Sequence, residues 1–152
     1  MDIAVFDKAI SYSAEDDYIN AITIVELKRP QRDDLRGDDK NPISQVLRYV
    51  SDIKSGKVKK ANGRGFGQVE NAAFYCYVIA DITDSLIEDA EYAGLIRTPD
   101  REGFFGFNAS KGAYIEVISY DKLVRDAKKR NQVLFDKLFR PKGDQVIALN
   151  KE

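Results

Sequence analysis

The stretch that decides the fold of this chain is Ile22–Pro30, with the sequence ITIVELKRP. Its first four residues are β-branched, which predicts a buried strand because such side chains fit a pleated surface. Side chains alternate between the two faces of a strand, so Glu26 and Lys28 share one face and Leu27 lies on the other. Burial of unpaired charge is costly. The two charged residues are therefore either an ion pair at the strand end or a metal ligand beside a catalytic lysine.

The composition of the chain limits the chemistry that it can perform. Its 152 residues are 43% hydrophobic and 32% charged, which is typical of one globular domain with a sizeable core. The 24 basic and 25 acidic residues nearly cancel, so affinity for a polyanion must come from local patches. The chain contains no histidine, which excludes histidine zinc sites and histidine-activated nucleophiles. Any catalysis by this chain would therefore have to use carboxylates, lysine and hard cations.

The single cysteine and the hydropathy of the chain bear on its environment. Cys76 lies in an apolar run and is interpreted as a small buried hydrophobic residue, and a disulfide within a monomer is excluded. No apolar run is long enough to span a membrane, and no secretory signal is recognisable. We therefore expect a cytoplasmic protein without a membrane partner.

The first residues and the strand at Ile22 predict a long β-hairpin. Asp2–Phe6 has a strand pattern, and Tyr18–Lys28 forms the second arm beyond a polar turn. If the arms are symmetric about Ala14, Asp2 lies directly opposite Glu26. Like charges in opposed positions destabilise a hairpin, and a divalent cation between them would reverse that effect. A bulge would shift the register by one residue and undo the alignment.

A helix and a further strand are predicted to follow the hairpin. Asn41 is the expected N-cap of a helix that begins at Pro42 and ends at Gly56. The run Ala72–Ile82 lacks alternation, which predicts a central strand that is buried on both faces and parallel to the strand at Ile22. The helix has an apolar stripe formed by Ile43, Val46, Leu47, Val50 and Ile53.

The second half of the chain predicts further α/β elements. Ser85–Glu88 is a capping box that opens a short helix, which ends at Gly94. Phe104–Phe107 is typical of a short edge strand, and Tyr114–Ser119 of a further strand. Tyr120–Phe139 predicts an amphipathic helix.

Two polar segments carry basic residues that are candidates for contact with nucleic acid. Arg29 and Arg32 follow Glu26 in the chain, whereas Lys59, Lys60 and Arg64 belong to a glycine-rich loop. The spacing of that loop does not match a Walker loop. These segments have two possible interpretations, contact with a phosphate backbone or a solvated surface loop, and the second is the more common.

Together these elements resemble the PD-(D/E)xK nuclease superfamily, which has the restriction-endonuclease-like fold. Asp2 would match the first acid of that motif, Glu26 the second and Lys28 its lysine. Gln45 and Tyr49 form a Gln-x-x-x-Tyr pattern that resembles the additional motif of the RecB-type branch, in which Tyr49 would support the helix. The resemblance covers about the first half of the chain, as expected of a motif carried by one hairpin and one crossover.

The resemblance implies an α/β fold with a restriction-endonuclease-like mixed β-sheet, a long N-terminal β-hairpin, a β-α-β crossover and flanking helices. Two features depart from the family. Met1 stands where the family has its proline, and the helix and strand that open the family core have no counterpart before Asp2. We therefore expect that the N-terminal part of the core is missing. The chain would be a fragment of a larger protein, with a nuclease-like domain over residues 1–140 and a tail over 141–152.

The resemblance also implies a set of site residues. The carboxylates of Asp2 and Glu26, with the backbone carbonyl of Leu27, would bind Mg²⁺ or Mn²⁺, since hard cations prefer oxygen ligands. Lys28 would orient or deprotonate the attacking water, and Gln45 would support that water or a phosphate near the start of the helix.

The expected activity is hydrolysis of phosphodiester bonds by the nuclease domain of a larger defence protein or ATPase. DNA is the expected substrate, and RNA is the alternative nucleic acid. The expected partners are the nucleic acid and upstream domains of the same polypeptide, and a homodimer is compatible with the sequence. Two alternatives remain open. One is a catalytically inactive module of the same fold that binds nucleic acid or a partner domain. The other is a purely structural ion pair between Glu26 and Lys28.

Overall fold

The structure of the chain is a computed structural model, which describes residues 3–8 by their backbone and residues 19–31, 40–59, 69 and 71–139 in full. The chain divides into two compact units, Met1–Tyr120 and Asp121–Glu152. The strands are β1 (Ile3–Lys8), β2 (Ile19–Leu27), β3 (Ala73–Ile79), β4 (Ile96–Arg97), β5 (Gly103–Asn108) and β6 (Ala113–Ile118). The helices are α1 (Pro42–Lys54), α2 (Asp84–Tyr92) and α3 (Tyr120–Phe139).

The first unit is an α/β structure built on one mixed sheet. Among the described residues, the six strands of this sheet lie in the order β1-β2-β3-β6-β5-β4. Strand β3 is parallel to both of its neighbours, β2 and β6, whereas the pairs β1–β2, β5–β6 and β4–β5 are antiparallel. The predicted α/β class, the mixed sheet, the hairpin and the β-α-β crossover are confirmed.

The N-terminal hairpin has the predicted register. Ile3 lies opposite Val25, and this pairing continues without a break as far as Asp7. The register shifts between Asp7 and Lys8, near the turn and far from the end of the hairpin that carries the charged residues. Asp2 and the hairpin tip lie outside the described residues, so the position of Asp2 opposite Glu26 stays a prediction.

Helix α1 covers one face of the sheet and begins where the sequence predicts. The Asn41 side chain accepts hydrogen bonds from the backbone N–H groups of Ile43, at 2.8 Å, and Ser44, at 3.1 Å. This cap satisfies two of the N–H groups that a helix start leaves without partners. Gly56, with φ of +73°, follows the helix end. The predicted stripe is buried at Ile43, Val46, Val50 and Ile53, and Leu47 packs against it from a partly buried position.

Strand β3 is buried along the full length of one face only, and on the other face burial is confined to Ile79 at the strand end, so the prediction of two buried faces is wrong. Phe74, Cys76 and Val78 are at most 1% exposed. Tyr75, between them, is 40% exposed, and Ala73 is also exposed. An unbroken apolar run did not distinguish these faces because a tyrosine ring is apolar while its hydroxyl tolerates water.

The N-cap of helix α2 lies two residues before the predicted one, Ser85. Thr83 is the N-cap, with extended backbone angles, and its hydroxyl accepts a hydrogen bond from the backbone N–H of Leu86 at 3.4 Å. Ser85 lies inside the first turn and is buried, so its prediction as the cap is wrong. Thr83 has the extended conformation that an N-cap needs, which Ser85 lacks inside the helix. Gly94, with φ of +73°, follows the end of α2 as predicted.

Strand β5 forms a hairpin with β6 and does not lie at the edge of the sheet. The two-residue strand β4 pairs beyond it, with Ile96 opposite Phe105. Two residues are too few for periodicity to reveal a strand, which explains the wrong edge prediction. Gly103 at the start of β5 lies so close to the Val117 carbonyl that a Cβ atom there would clash.

Helix α3 has the predicted bounds. None of its residues is buried, and Leu134 and Leu138 of its apolar stripe are 54% and 65% exposed. Lys128, Lys129 and Arg130 on this helix are exposed as well. Within the residues that the structure describes, no helix is long and apolar enough to cross a membrane.

Candidate functional site

The charged end of strand β2 is buried against the core. Glu26 is 5% exposed and Lys28 is 7% exposed, and they continue the face that holds Ile24. Leu27 lies on the opposite face and is 41% exposed, which confirms the predicted alternation. The Lys28 Nζ atom lies 2.9 Å from Glu26 Oε1. The strand therefore ends in an ion pair that is largely withdrawn from water.

Gln45 completes this cluster from the first turns of α1. Lys28 Nζ donates a hydrogen bond to Gln45 Oε1 at 2.5 Å, so the ammonium group bridges a carboxylate and an amide. Gln45 is placed there because its backbone N–H bonds to the carbonyl of the N-cap, Asn41, at 3.0 Å. The crossover from β2 to α1 thus brings together two residues that the sequence predicts to act together.

The backbone of Lys28 is held on two sides. Its N–H donates to the Ile79 carbonyl at 2.9 Å, and its carbonyl accepts a hydrogen bond from the Tyr120 hydroxyl. Both anchors lie at the ends of parallel strands, Ile79 as the last residue of β3 and Tyr120 two residues beyond β6. Sequence reasoning assigned Tyr120 only to a helix start. The contact depends on β6 pairing with β3, for which the sequence carries no local signal.

The Asp81 side chain binds the backbone of Gln31, three residues after Lys28. Its Oδ2 atom accepts a hydrogen bond from the backbone N–H of Gln31 at 2.6 Å. Gln31 has φ of +60°, a left-handed conformation that is uncommon outside glycine. The carboxylate of Asp81 therefore stabilises the turn that follows Pro30, and it bounds the site on the β3 side.

Tyr49 lies one helical turn after Gln45 and is partly buried against the core. Residues four apart on a helix are neighbours on its surface. Tyr49 is thus placed to fix the position of the α1 segment that presents Gln45. This placement fits a supporting role.

Two described residues at the end of β2 carry oxygen atoms of the kind that hard cations bind. Glu26 presents a buried carboxylate, in which Oε1 contacts Lys28 and Oε2 is buried as well. Leu27 follows with its backbone carbonyl, and such oxygens suit Mg²⁺ or Mn²⁺. Among the described residues, no three Asp, Glu or Cys side chains are grouped closely enough to hold a metal ion. Asp2, the other predicted carboxylate ligand, lies outside this part of the chain.

The predicted nucleic-acid contacts are only partly described. Arg29 and Lys59 are exposed, so both are accessible to a ligand from solvent. Arg32, Lys60 and Arg64 lie outside the described residues. For these three the predicted contact stays a prediction.

Comparisons with family models, curated proteins and solved structures find no match to this chain. The interpretation of the site therefore depends on its own residues and their geometry.

Proposed function

We propose that this protein is a metal-dependent nuclease of the PD-(D/E)xK superfamily, with a restriction-endonuclease-like fold, that hydrolyses phosphodiester bonds in DNA. The supporting observation is the buried cluster at the end of β2, in which Lys28 bridges Glu26 and Gln45. The hairpin register adds support, because its continuation by one residue beyond Ile3 would set Asp2 opposite Glu26. The proposed partner is DNA.

In this proposal the carboxylates of Asp2 and Glu26 and the carbonyl of Leu27 hold Mg²⁺ or Mn²⁺. When bound, such an ion promotes attack by water and neutralises charge on the phosphate. The buried position of Glu26 favours a strong interaction with a cation, because electrostatic interactions weaken less where water is excluded.

Lys28 and Gln45 act on the phosphate and on the attacking water. The Lys28 ammonium, anchored by Glu26 and Gln45, donates hydrogen bonds toward charge that develops on the phosphate. The backbone anchors at Ile79 and Tyr120 reduce the movement of Lys28, and pre-organised donors lose less energy to rearrangement during reaction. The Gln45 amide carries both a donor and an acceptor, so it can orient water and phosphate together.

A second candidate is an inactive module of the same fold, in which Glu26 and Lys28 form a structural ion pair. The 2.9 Å contact between Lys28 Nζ and Glu26 Oε1 favours it, because the pair satisfies its own charges. This candidate predicts binding of nucleic acid or a partner domain without cleavage. Activity assays distinguish the two.

The test is cleavage of supercoiled plasmid and linear DNA by the purified protein in Mg²⁺, in Mn²⁺ and in EDTA. We expect cleavage with either metal and none in EDTA. Glu26→Gln and Lys28→Met should each lower the rate by about 100-fold or more, since each removes a group that acts on the reacting phosphate.

The matched controls are Glu91→Gln on α2 and Lys129→Met on α3, which make the same chemical changes at exposed positions. Both should cleave at the wild-type rate. Circular dichroism establishes that every variant is folded. Equal rates for wild type, Glu26→Gln and Lys28→Met would refute the nuclease assignment. DNA binding without cleavage would favour the inactive module.

A further inference from the structure

An open groove of about 330 Å³ lies along α1. Its lining residues are Ser44, Leu47, Arg48, Ser51 and Lys111. The four residues from α1 recur at intervals of three and four, so they share one side of the helix. Arg48 follows Gln45 by three residues, so the two are neighbours on the helix surface, but Gln45 itself does not line the groove. The groove therefore lies beside the proposed active site and is lined by other residues.

The groove is rich in groups that bind oxyanions. Arg48 and Lys111 bring a guanidinium and an ammonium group, and Ser44 brings a hydroxyl, whereas the Ser51 hydroxyl donates to the Leu47 carbonyl at 3.0 Å. None of the described residues that line the groove is acidic. Asp52, the next acid along α1, has its Oδ1 atom 3.3 Å from Lys57 Nζ. The charge of this carboxylate is therefore partly offset outside the groove.

The turn that carries Lys111 is held in place by a third cation. Lys54 Nζ donates a hydrogen bond to the Lys111 carbonyl at 2.5 Å and lies 5.0 Å from the centre of the Phe74 ring. The Lys111 N–H also bonds to Asn108 Oδ1 at 3.0 Å, which closes the turn between β5 and β6. Lys111 is thus presented from a tethered backbone, which lowers the entropy lost when a ligand binds.

We propose that this groove binds the phosphate backbone of a nucleic acid. Arginine, lysine and serine are the side chains that contact phosphate oxygens most often in such complexes. The chain has a formal net charge of −1, so attraction of a polyanion depends on a local cluster of this kind. An open groove admits a continuous strand, whereas sites for small ligands enclose most of the ligand surface.

This inference takes its choice of nucleic acid from the proposed function, but it concerns binding and not cleavage. Fluorescence anisotropy of a labelled DNA duplex, measured in EDTA over a range of salt concentrations, tests it without hydrolysis. The test variant is Arg48→Gln/Lys111→Gln. The control, Lys128→Gln/Lys129→Gln, removes the same charge from exposed positions of α3.

We expect the groove variant to bind the duplex about tenfold more weakly. The plot of log affinity against log salt should become shallower, its negative slope decreasing in magnitude by about two, since each phosphate contact contributes about one. The control should bind like the wild type. Unchanged affinity and salt slope in the groove variant would overturn the inference, as would a wild-type protein that does not bind the duplex.

Competition identifies the source of the phosphate. Inorganic phosphate and a nucleoside monophosphate are added at the same phosphate concentration as unlabelled duplex. We expect only the duplex to displace the labelled DNA efficiently. Equal displacement by the mononucleotide would overturn the assignment to a polymer.

The failure of this inference is distinguishable from the failure of the proposed function. A groove-dependent loss of binding in a protein that does not cleave DNA in Mg²⁺ supports the groove and rejects the nuclease. A groove variant with unchanged binding and unchanged cleavage rejects the groove and supports the nuclease.

Discussion

The two faces of the central sheet are made from alternating residues of the same strands, yet they differ in burial and in how they treat charge. On the face covered by α1, the core residues Ile24, Cys76 and Ile115 are at most 1% exposed. On the opposite face Tyr75 and Phe107 are 40% and 68% exposed. Adjacent residues along one strand therefore lie in environments of very different polarity.

Two glutamates show the consequence of that difference. Glu26, on the covered face, is 5% exposed, and Lys28 compensates its charge. Glu116, on the open face, is partly exposed and accepts a hydrogen bond from the Tyr114 hydroxyl at 3.4 Å. Water stabilises the second carboxylate, whereas the first depends on protein groups. A charge on the covered face is thus expensive unless it is paired, and this is where the proposed active site lies.

The largest expected effect of breaking this contrast is at neighbouring residues of β3. Phe74→Ala should lower the free energy of unfolding by about 3–5 kcal/mol, because it leaves a cavity in the covered face. Tyr75→Ala on the open face should cost about 1 kcal/mol. Urea denaturation of both variants measures the difference. Equal losses would contradict the assignment of one covered and one open face.

Removal of the Lys28 charge should come next. Lys28→Met leaves the Glu26 carboxylate buried without its ion-pair partner, which should cost about 3 kcal/mol. Glu26→Gln/Lys28→Met should recover part of this loss, because it removes both charges. Glu116→Gln is the control from the open face and should change the stability by less than about 1 kcal/mol. If the double variant were less stable than Lys28→Met, the unpaired Glu26 carboxylate could not be the cause of the lost stability.

A smaller effect is expected from the Tyr120 hydroxyl. Tyr120→Phe removes its hydrogen bond to the Lys28 carbonyl and should lower the stability by about 1 kcal/mol. If the proposed function is correct, it should also lower the DNA cleavage rate, through the position of Lys28. Tyr92→Phe, at a residue that is 96% exposed, is the control and should change neither property. A wild-type rate in Tyr120→Phe would show that Lys28 needs no such anchor.

Ionisable groups on the two faces should have the smallest effect on stability near neutral pH. Their effect on stability grows as the pH becomes alkaline. Burial raises the pKa of the Cys76 thiol from 9.0 to about 12. Between these two values the unfolded chain loses the thiol proton while the folded chain keeps it, so stability falls as pH rises. Below the lower value both states are protonated, and this contribution does not change with pH.

Tyr77 and Tyr114 on the open face act in the same direction at higher pH. Partial burial, and then the charge of Glu116, raises the pKa of each tyrosine from its ordinary value of 10.0. Thermal unfolding between pH 8 and pH 11, run at about half-unit steps, separates the faces. Cys76→Ala should flatten the decline that begins near pH 9, whereas Tyr114→Phe should flatten it only above pH 10. An unaltered decline in Cys76→Ala would contradict burial of the thiol.

Local features of the sequence were sufficient for several elements. The hairpin register followed from the symmetry of its arms, and α1 followed from Asn41, Pro42 and the apolar stripe, because turns and caps depend on residues close in the chain. The start of α2 was misplaced because Thr83 and Ser85 are both acceptable caps, and only the backbone conformation decides between them. The open face was missed because an apolar run does not reveal whether a second layer covers it.

The sequence by itself determined that Glu26 and Lys28 share a face, that Leu27 points the other way, and that Gln45 lies near the start of the next helix. These follow from the strand and helix periods, which are properties of the local backbone. Only the tertiary structure decided that Lys28 bridges Glu26 and Gln45, that Tyr120 anchors it, and that Arg48 and Lys111 line one groove. Those contacts join residues far apart in the chain, and they depend on the strand order and helix packing that burial of the whole core selects.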